Sequence, residues 1–397
     1  MTFKMKYRPI HSRLHNPNFR FRETEIARIL HCWTQGQSVL LTGIRRTGKS
    51  EVLKAALCSH AEAGNAVGHM LVESQNSLPH FYQQLLETLL REAPTSVGEK
   101  LDEAMAGVAR LPDGLMKWVR GQIRTVRVPE VMEIELAPPE EQLLRYWQPL
   151  AEQVAAVLAM HDPQKLPVIG IDELPFMLEN LLREGVTPKE IIIMLASLRS
   201  LRDAGLCLII AGSISFENLL SLHDIPHTVL GGLSRQAVPP FTRDEAAKYL
   251  AEFLAARPAS DAAVLQHTLD TLPDYVPEFL RIAVNHLHVC RDSDECVTAL
   301  QQDILPAIRR AFLQQFDERL TKNYTPEEQI TADRILDTIA RADSDGSRID
   351  GSSLPAGYRK VLLKLEYDNF LTEGEDFKWR FSLNLIRQWW RANRGIA

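Results

Sequence analysis

Two short stretches carry residue types and spacings that can do chemistry. The first, Gly43-Ile44-Arg45-Arg46-Thr47-Gly48-Lys49-Ser50, fits the spacing G-x-x-x-x-G-K-[ST]. Its glycines let the backbone bend so that successive N–H groups, including those of Ile44, Arg45, Arg46 and Thr47, converge on phosphate oxygens. A helix starting near Lys49, with Glu51 in its first turn, adds the positive end of its dipole. Lys49 then suits the β- and γ-phosphates of a nucleoside triphosphate, and the Ser50 hydroxyl suits Mg2+. In the second stretch, the apolar run Leu166–Ile171 ends in Asp172-Glu173. An aspartate at such a strand end helps hold Mg2+, and a glutamate directly after it can orient or deprotonate an attacking water. A charged turn would explain the pair equally well if no phosphate loop preceded it. A further run, Leu206–Ala211, leads into Gly212-Ser213. Ser213 would lie beside the γ-phosphate if this strand inserts between the other two; otherwise Gly212-Ser213 simply makes a turn.

The surrounding pattern supplies elements to position these groups. SVLLT (38–42) reads as a strand, followed by a helix in which Val52, Leu53, Ala56 and Leu57 recur at helical spacing. Gly68–Val72 reads as a second strand, so a βαβ unit with a parallel sheet is expected. The runs before Asp172 and Gly212 lack alternation, as strands buried on both faces do, and VTPKEIIIMLASLRSLRDAG joins them as a helix. Residues 77–162 interrupt this rhythm, with helical ends (LPHFYQQLLETLLREA and EEQLLRYWQPLAEQVAAVLAMHD) around a hairpin-like RTVRVPEVMEIELAPP. The opposite charges there fit paired strands.

Beyond Pro239-Pro240 the chain reads as helical, and Thr242 with Glu245 has capping-box spacing. Helices are also expected in YVPEFLRIAVNHLHVC and in CVTALQQDILPAIRRAFLQQFDERL. The last stretch gives helices at about 327–341 and 355–371, a hairpin FLTEGEDFKWRF, and a closing helix with Trp389 and Trp390, the order of a winged helix-turn-helix. In its recognition-helix candidate, Val361, Leu362, Leu365 and Phe370 are expected inward and Arg359, Lys360 and Lys364 outward. Residues 350–397 hold eight Lys and Arg against six Asp and Glu, a modest basic excess with an acidic wing.

Composition sets the outer bounds. The 397 residues include 45 Lys and Arg against 51 Asp and Glu, a net charge of −6, with 45% hydrophobic residues. This is globular composition, and it excludes a uniformly basic nucleic-acid binder. No apolar run approaches the roughly 18 residues of a membrane span, and no apolar segment follows the basic start, so neither a secretory signal nor membrane attachment is expected. Five scattered Cys without C-x-x-C spacing fit a reducing cytoplasm. His286, His288, Cys290 and Cys296 match no usual zinc spacing.

Together, GIRRTGKS, the strand ending in Asp172-Glu173, LIIAGS and VPPFTRDEAAKYL resemble the archaeal-type ATPase family of AAA+/STAND-related P-loop NTPases, akin to origin-recognition ATPases. The resemblance covers about residues 17–290. Phe19-Arg20-Phe21-Arg22-Glu23-Thr24-Glu25 looks like that family's F-x-G-R-E-x-E box, which implies that Arg22 and Glu23 lie near the adenine; Phe21 stands where the box carries glycine. Arg235 sits near an arginine that the family places before its P-F motif and so is a candidate arginine finger, or an ordinary surface residue. Pro277 matches the proline of G-x-P at the start of the lid.

The implied fold is α/β, a P-loop NTPase parallel sheet of the AAA+/ASCE type, followed by a helical lid and an α+β winged-helix domain. Its expected divisions are 1–241 for the ATPase core (with the insertion at about 77–162), 242–324 for the lid and 325–397 for the winged helix. The implied function is a Mg2+-dependent, ATP-hydrolysing switch. Alternatives are a nucleotide-regulated DNA-binding protein and an ATP-driven oligomerising signalling or defence scaffold. ATP and Mg2+ are the implied cofactors, and a second copy, double-stranded DNA or a protein the candidate partners.

Overall fold

The computed structural model describes residues 19–75, 77–91, 151, 152, 154, 155, 158, 167–213, 215–255, 260–342, 347–349, 355 and 357–396. The expected hairpin at 124–139 and most of the helix at 140–162 lie outside them. The chain forms two compact units: Met1–Thr42 with Lys49–Ala237, and Gly43–Gly48 with Val238–Ala397.

The first unit begins with α1 (Glu23–Thr34), whose early Glu23 and Glu25 complement the helix dipole. It continues through β1 (Val39–Thr42), α2 (Lys49–Glu62), β2 (Val67–Leu71), α3 (Leu78–Arg91), β3 (Val168–Asp172) and α4 (Leu174–Arg183). Next come α5 (Pro188–Asp203), β4 (Cys207–Ala211), α6 (Phe216–Leu222), a 3-10 turn (His227–Leu230) and β5 (Ser234–Ala237). A Thr187/Glu190 capping box starts α5.

The sheet order is β2-β3-β4-β1-β5, and every pairing is parallel. β4 therefore inserts between β1 and β3. All positions of β3 and β4 are buried, which is why their sequences do not alternate. Helices on the sheet complete the core, with Tyr82 and Leu85 from α3, Leu178 and Leu181 from α4, and Leu195 and Leu198 from α5. Gly170 lets α2 approach β3 closely: a Cβ there would lie 2.7 Å from Leu57 and 2.8 Å from Leu53 side-chain carbons.

The second unit contains α7 (Arg243–Phe253), α8 (Ala262–Thr271), α9 (Pro277–Leu287), α10 (Ser293–Ala299), a π-turn (Leu300–Ile304) and α11 (Leu305–Asn323). Thr242 and Glu245 form the expected capping box on α7. The expected long helix from Cys296 is thus divided by the π-turn. Phe279, Phe312, Phe316 and Phe370 pack in a row through edge-on and tilted ring contacts, with ring centroids 5.1, 5.4 and 5.0 Å apart.

Then follow α12 (Pro326–Arg341), α13 (Tyr358–Tyr367), β6 (Leu371–Glu373), β7 (Trp379–Phe381) and α14 (Asn384–Arg394). β6 and β7 pair antiparallel, and Ser347 bridges to Trp379 beside them. α13 is shorter than the expected 355–371: Gly357 (φ 85) precedes it and Asn369 (φ 59) turns the chain after it.

Val361, Leu362, Leu365 and Phe370 are buried as expected, but Lys364 is not outward. Its Nζ donates to Glu328 Oε2 at 2.7 Å and to the Asn323 carbonyl at 3.0 Å. Lys364 stands three residues after Val361, on the flank of the buried stripe, and a carboxylate waiting on α12 draws it in. Among the described residues no helix is long and apolar enough to cross a membrane.

Candidate phosphate-binding site

Parallel strands leave their ligand-binding ends where the chain turns from strand to helix. In the first unit, Lys49 and Ser50 open α2, and Lys49 is buried. Ser50 Oγ donates to Asp172 Oδ1 at 3.0 Å. Asp172 is the last residue of β3, level with Ala211 at the end of β4. Burial raises its pKa, which the Ser50 hydrogen bond partly opposes; Glu173 raises it further and Lys54 lowers it.

Glu173 has φ 65, a left-handed turn between β3 and α4 for which a non-glycine residue is uncommon. Its N–H donates to the Ala211 carbonyl at 2.9 Å. Its Oε2 accepts from Ser213 N at 2.8 Å and Ser213 Oγ at 2.9 Å. The inserted strand β4 thus delivers Ser213 to the carboxylate that follows Asp172. Hydroxyl and carboxylate oxygens held this close are the donor set that hard Mg2+ takes, with its remaining positions left for water and phosphate.

The loop Gly43–Gly48 packs within the second unit. Gly43 has φ 127, and a Cβ there would meet the Val238 carbonyl oxygen at 2.7 Å, so only glycine fits. Arg46 has φ 72 and Gly48 φ 92. Thr47 Oγ1 donates to the Ile44 carbonyl at 2.9 Å, tightening the turn. Ile44 is buried, whereas Arg45 and Arg46 are exposed.

Phe21 has φ 60, so the backbone keeps a left-handed turn at the position where glycine was expected. Arg22, only 3% exposed, pairs with Glu25 at 3.2 Å. Arg22, Glu23 and Glu51 border one cleft of about 220 Å³ between α1 and α2, and Glu51 also pairs with Lys54 at 3.0 Å. Arg235 lies on the edge strand β5, is largely exposed, and pairs with Glu217 at 3.1 Å. Pro277 opens α9. Sequence reasoning overlooked Lys54, which faces Asp172 electrostatically, and Glu278, which follows Pro277 and pairs with Arg46 at 2.8 Å. A lone acid beside a matched proline, with two arginines in the loop, was the signal available for Glu278.

A Walker-type ATPase of Pyrococcus abyssi, PABY2304, aligns over 94% of this chain and 96% of its own, with a TM-score of 0.53 at 15% sequence identity. The chain shares its fold with that protein. The ORC2 protein of Aeropyrum pernix, solved in ADPNP–ADP complexes, aligns over 96% of both chains with a TM-score of 0.46 at 11% identity. No family model matches the sequence, and no curated protein matches it. The parallel sheet with β4 between β1 and β3, followed by helical elements, is the strand-and-helix order expected from the sequence.

Proposed function

We propose that the chain binds Mg2+-ATP at Gly43–Ser50 and hydrolyses it, acting as a nucleotide-driven switch. The observation that carries this reading is the 3.0 Å bond from Ser50 to buried Asp172, with Glu173 next in the chain. Residues far apart in sequence come together as one hydroxyl and two carboxylates, the set that phosphoryl transfer to water requires. The loop amides and the N-terminal end of α2 hold the triphosphate, and Lys49 neutralises its outer phosphates. Ser50 and Asp172 would hold Mg2+, which supplies positive charge to the β- and γ-phosphate oxygens. Glu173, its carboxylate fixed by Ser213, takes the proton of the water that attacks the γ-phosphorus, releasing phosphate and ADP.

The cleft beside Arg22, Glu23 and Glu51 fits the side of the fold where the base was expected. Pro277, at the first position of α9, is the proposed lid residue for nucleotide. Arg235 is the candidate arginine finger; to act on a second copy it must exchange Glu217 for phosphate. The proposed divisions are a core at 1–241, a lid at 242–324 and a winged helix at 325–397.

The test is nucleotide binding by calorimetry. Lys49→Ala should weaken ATP affinity by about 100-fold or more, the loss of charge-assisted bonds in an enclosed site, while thermal unfolding without nucleotide stays within a few degrees. Equal ATP affinity in the two proteins would remove the phosphate site from Gly43–Ser50.

A further inference from the structure

Glu278 on the first turn of α9 has two cationic partners. Its Oε1 accepts from Arg46 Nη1 at 2.8 Å and from Arg281 Nη2 at 2.7 Å, and its Oε2 accepts from Arg281 Nε at 2.8 Å. The two bonds from Arg281 form a planar fork that fixes the carboxylate plane. One oxygen is thereby presented to Arg46 in a set direction. The Arg281 hydrogen bonds, and then Arg46, hold the Glu278 carboxyl below its usual range. The carboxylate is 17% exposed, so water competes with these bonds less than on an open surface.

Arg46 stands in the middle of the phosphate-binding loop with φ 72. A side chain in the left-handed region is strained, and it persists only where the surroundings hold it. Gly43 and Gly48 adopt positive φ without that penalty, and Thr47 closes its own turn onto Ile44. Glu278 reaches Arg46 from outside the loop. Arg46, Glu278, Arg281 and the whole of Gly43–Gly48 belong to the same compact unit.

We propose that Glu278 is a positioning residue for the phosphate-binding loop: it anchors Arg46 in its left-handed conformation, so that the loop's amides are ordered before a nucleoside triphosphate arrives. This rests on the ATP-site reading given above. An anchor of this kind acts through preorganisation, so it governs nucleotide affinity more than the chemical step. Glu278 itself touches no phosphate; its negative charge would repel one.

The experiment is a double-mutant cycle on the full chain, with the dissociation constant of a non-hydrolysable ATP analogue and the turnover number as readouts. Glu278→Ala should weaken the analogue by about tenfold, the size of one charge-assisted hydrogen bond, with kcat within about twofold of the parent. In an Arg46→Ala background the same substitution should change affinity by less than about twofold, because the partner is already gone. Glu278→Gln, which keeps an oxygen acceptor, should recover part of the loss. An affinity unchanged by Glu278→Ala, or an equal loss in both backgrounds, overturns the assignment. A loss of affinity that appears only with a collapse of the unfolding temperature in both Glu278→Ala and Glu278→Gln also overturns it. If the parent chain binds the analogue no better than Lys49→Ala does, the ATP site itself fails and the positioning role falls with it; if the parent binds and the cycle shows no coupling, only the positioning role fails.

Discussion

Replacing Glu173 by Gln separates chemistry from architecture at the proposed site. One carboxylate oxygen, Oε2, accepts both bonds from Ser213, at 2.8 and 2.9 Å. A glutamine amide oxygen can occupy the same place and accept the same two donors. What is lost is the charge, which roughly halves the strength of such bonds. At this partly exposed position that amounts to about 1 kcal/mol or less of stability, given net values near 1 kcal/mol for neutral bonds. The chemical consequence is far larger. An amide cannot take a proton from water, and a positioned base contributes roughly 100- to 10,000-fold, or about 3–5 kcal/mol of barrier. Glu173→Gln should therefore bind ATP within about threefold of the parent yet release phosphate at least 100-fold more slowly. Phosphate release under saturating ATP, analogue binding and urea unfolding together give all three quantities. Hydrolysis at the parent rate would show that Glu173 is not the base. A large loss of binding would show instead that its charge organises the site.

Three further outcomes follow from particular contacts. Lys364→Met removes one partner of an inward ion pair whose side chains are 8% and 15% exposed, and should cost about 3 kcal/mol in urea unfolding; a cost under about 0.5 kcal/mol would return Lys364 to the surface. Asp274 accepts from the Asn384 and Leu385 N–H groups at the start of α14, and burial pushes its pKa up to about 6. A raised carboxylate pKa means the folded chain holds the proton more tightly, so this contribution is full below about pH 4 and is lost as pH rises through 6. The parent should lose on the order of 3 kcal/mol across that window through this group, and the pH dependence of unfolding should be flatter by that amount in Asp274→Asn; an unchanged slope refutes the assignment. Gly170→Ala places a methyl under 3.0 Å from Leu53 and Leu57 and should cost about 1–3 kcal/mol. Because those leucines lie on the helix that begins with Lys49 and Ser50, ATP affinity should fall with it, as calorimetry can show.

The parts of this molecule legible in its sequence are those encoded by local spacing. The G-x-x-x-x-G-K-S pattern places a turn at a helix start whatever surrounds it, and apolar runs too continuous for one-sided burial identify β3 and β4. The position of β4 was conditional in the sequence and is observed in the structure, because strand order depends on packing rather than on any short motif. Helix α4 was hidden for a related reason: it starts at Leu174, straight out of the left-handed turn at Glu173, with no loop signal between strand and helix. Phe21 shows the opposite case, in which the glycine signal is missing and the turn is still made. Lys364 and Glu278 were misread or missed because each is defined by a partner distant in the chain, Glu328 and Arg46 respectively.

The same distinction bears on what the C-terminal segment does. Its excess of cations in sequence suggested a surface for phosphates, but charge counted along a chain is not charge presented at a surface. Lys364 is held by Glu328, and Lys360 lies 3.6 Å from the same carboxylate. Arg380 is forked onto Asp376, and Arg394 pairs with Asp333. Arg387 and Arg391 donate to the carbonyls of Ala342 and Ala340 at the end of α12, where cations complement the helix dipole. Arg359 remains exposed on α13 beside exposed Leu363, and Phe377 is 72% exposed on the acidic wing. Duplex binding depends on many cations releasing counterions at once, and most of these cations already serve the fold of the segment itself. The basic excess counted along this segment therefore overstates the unpaired charge it carries.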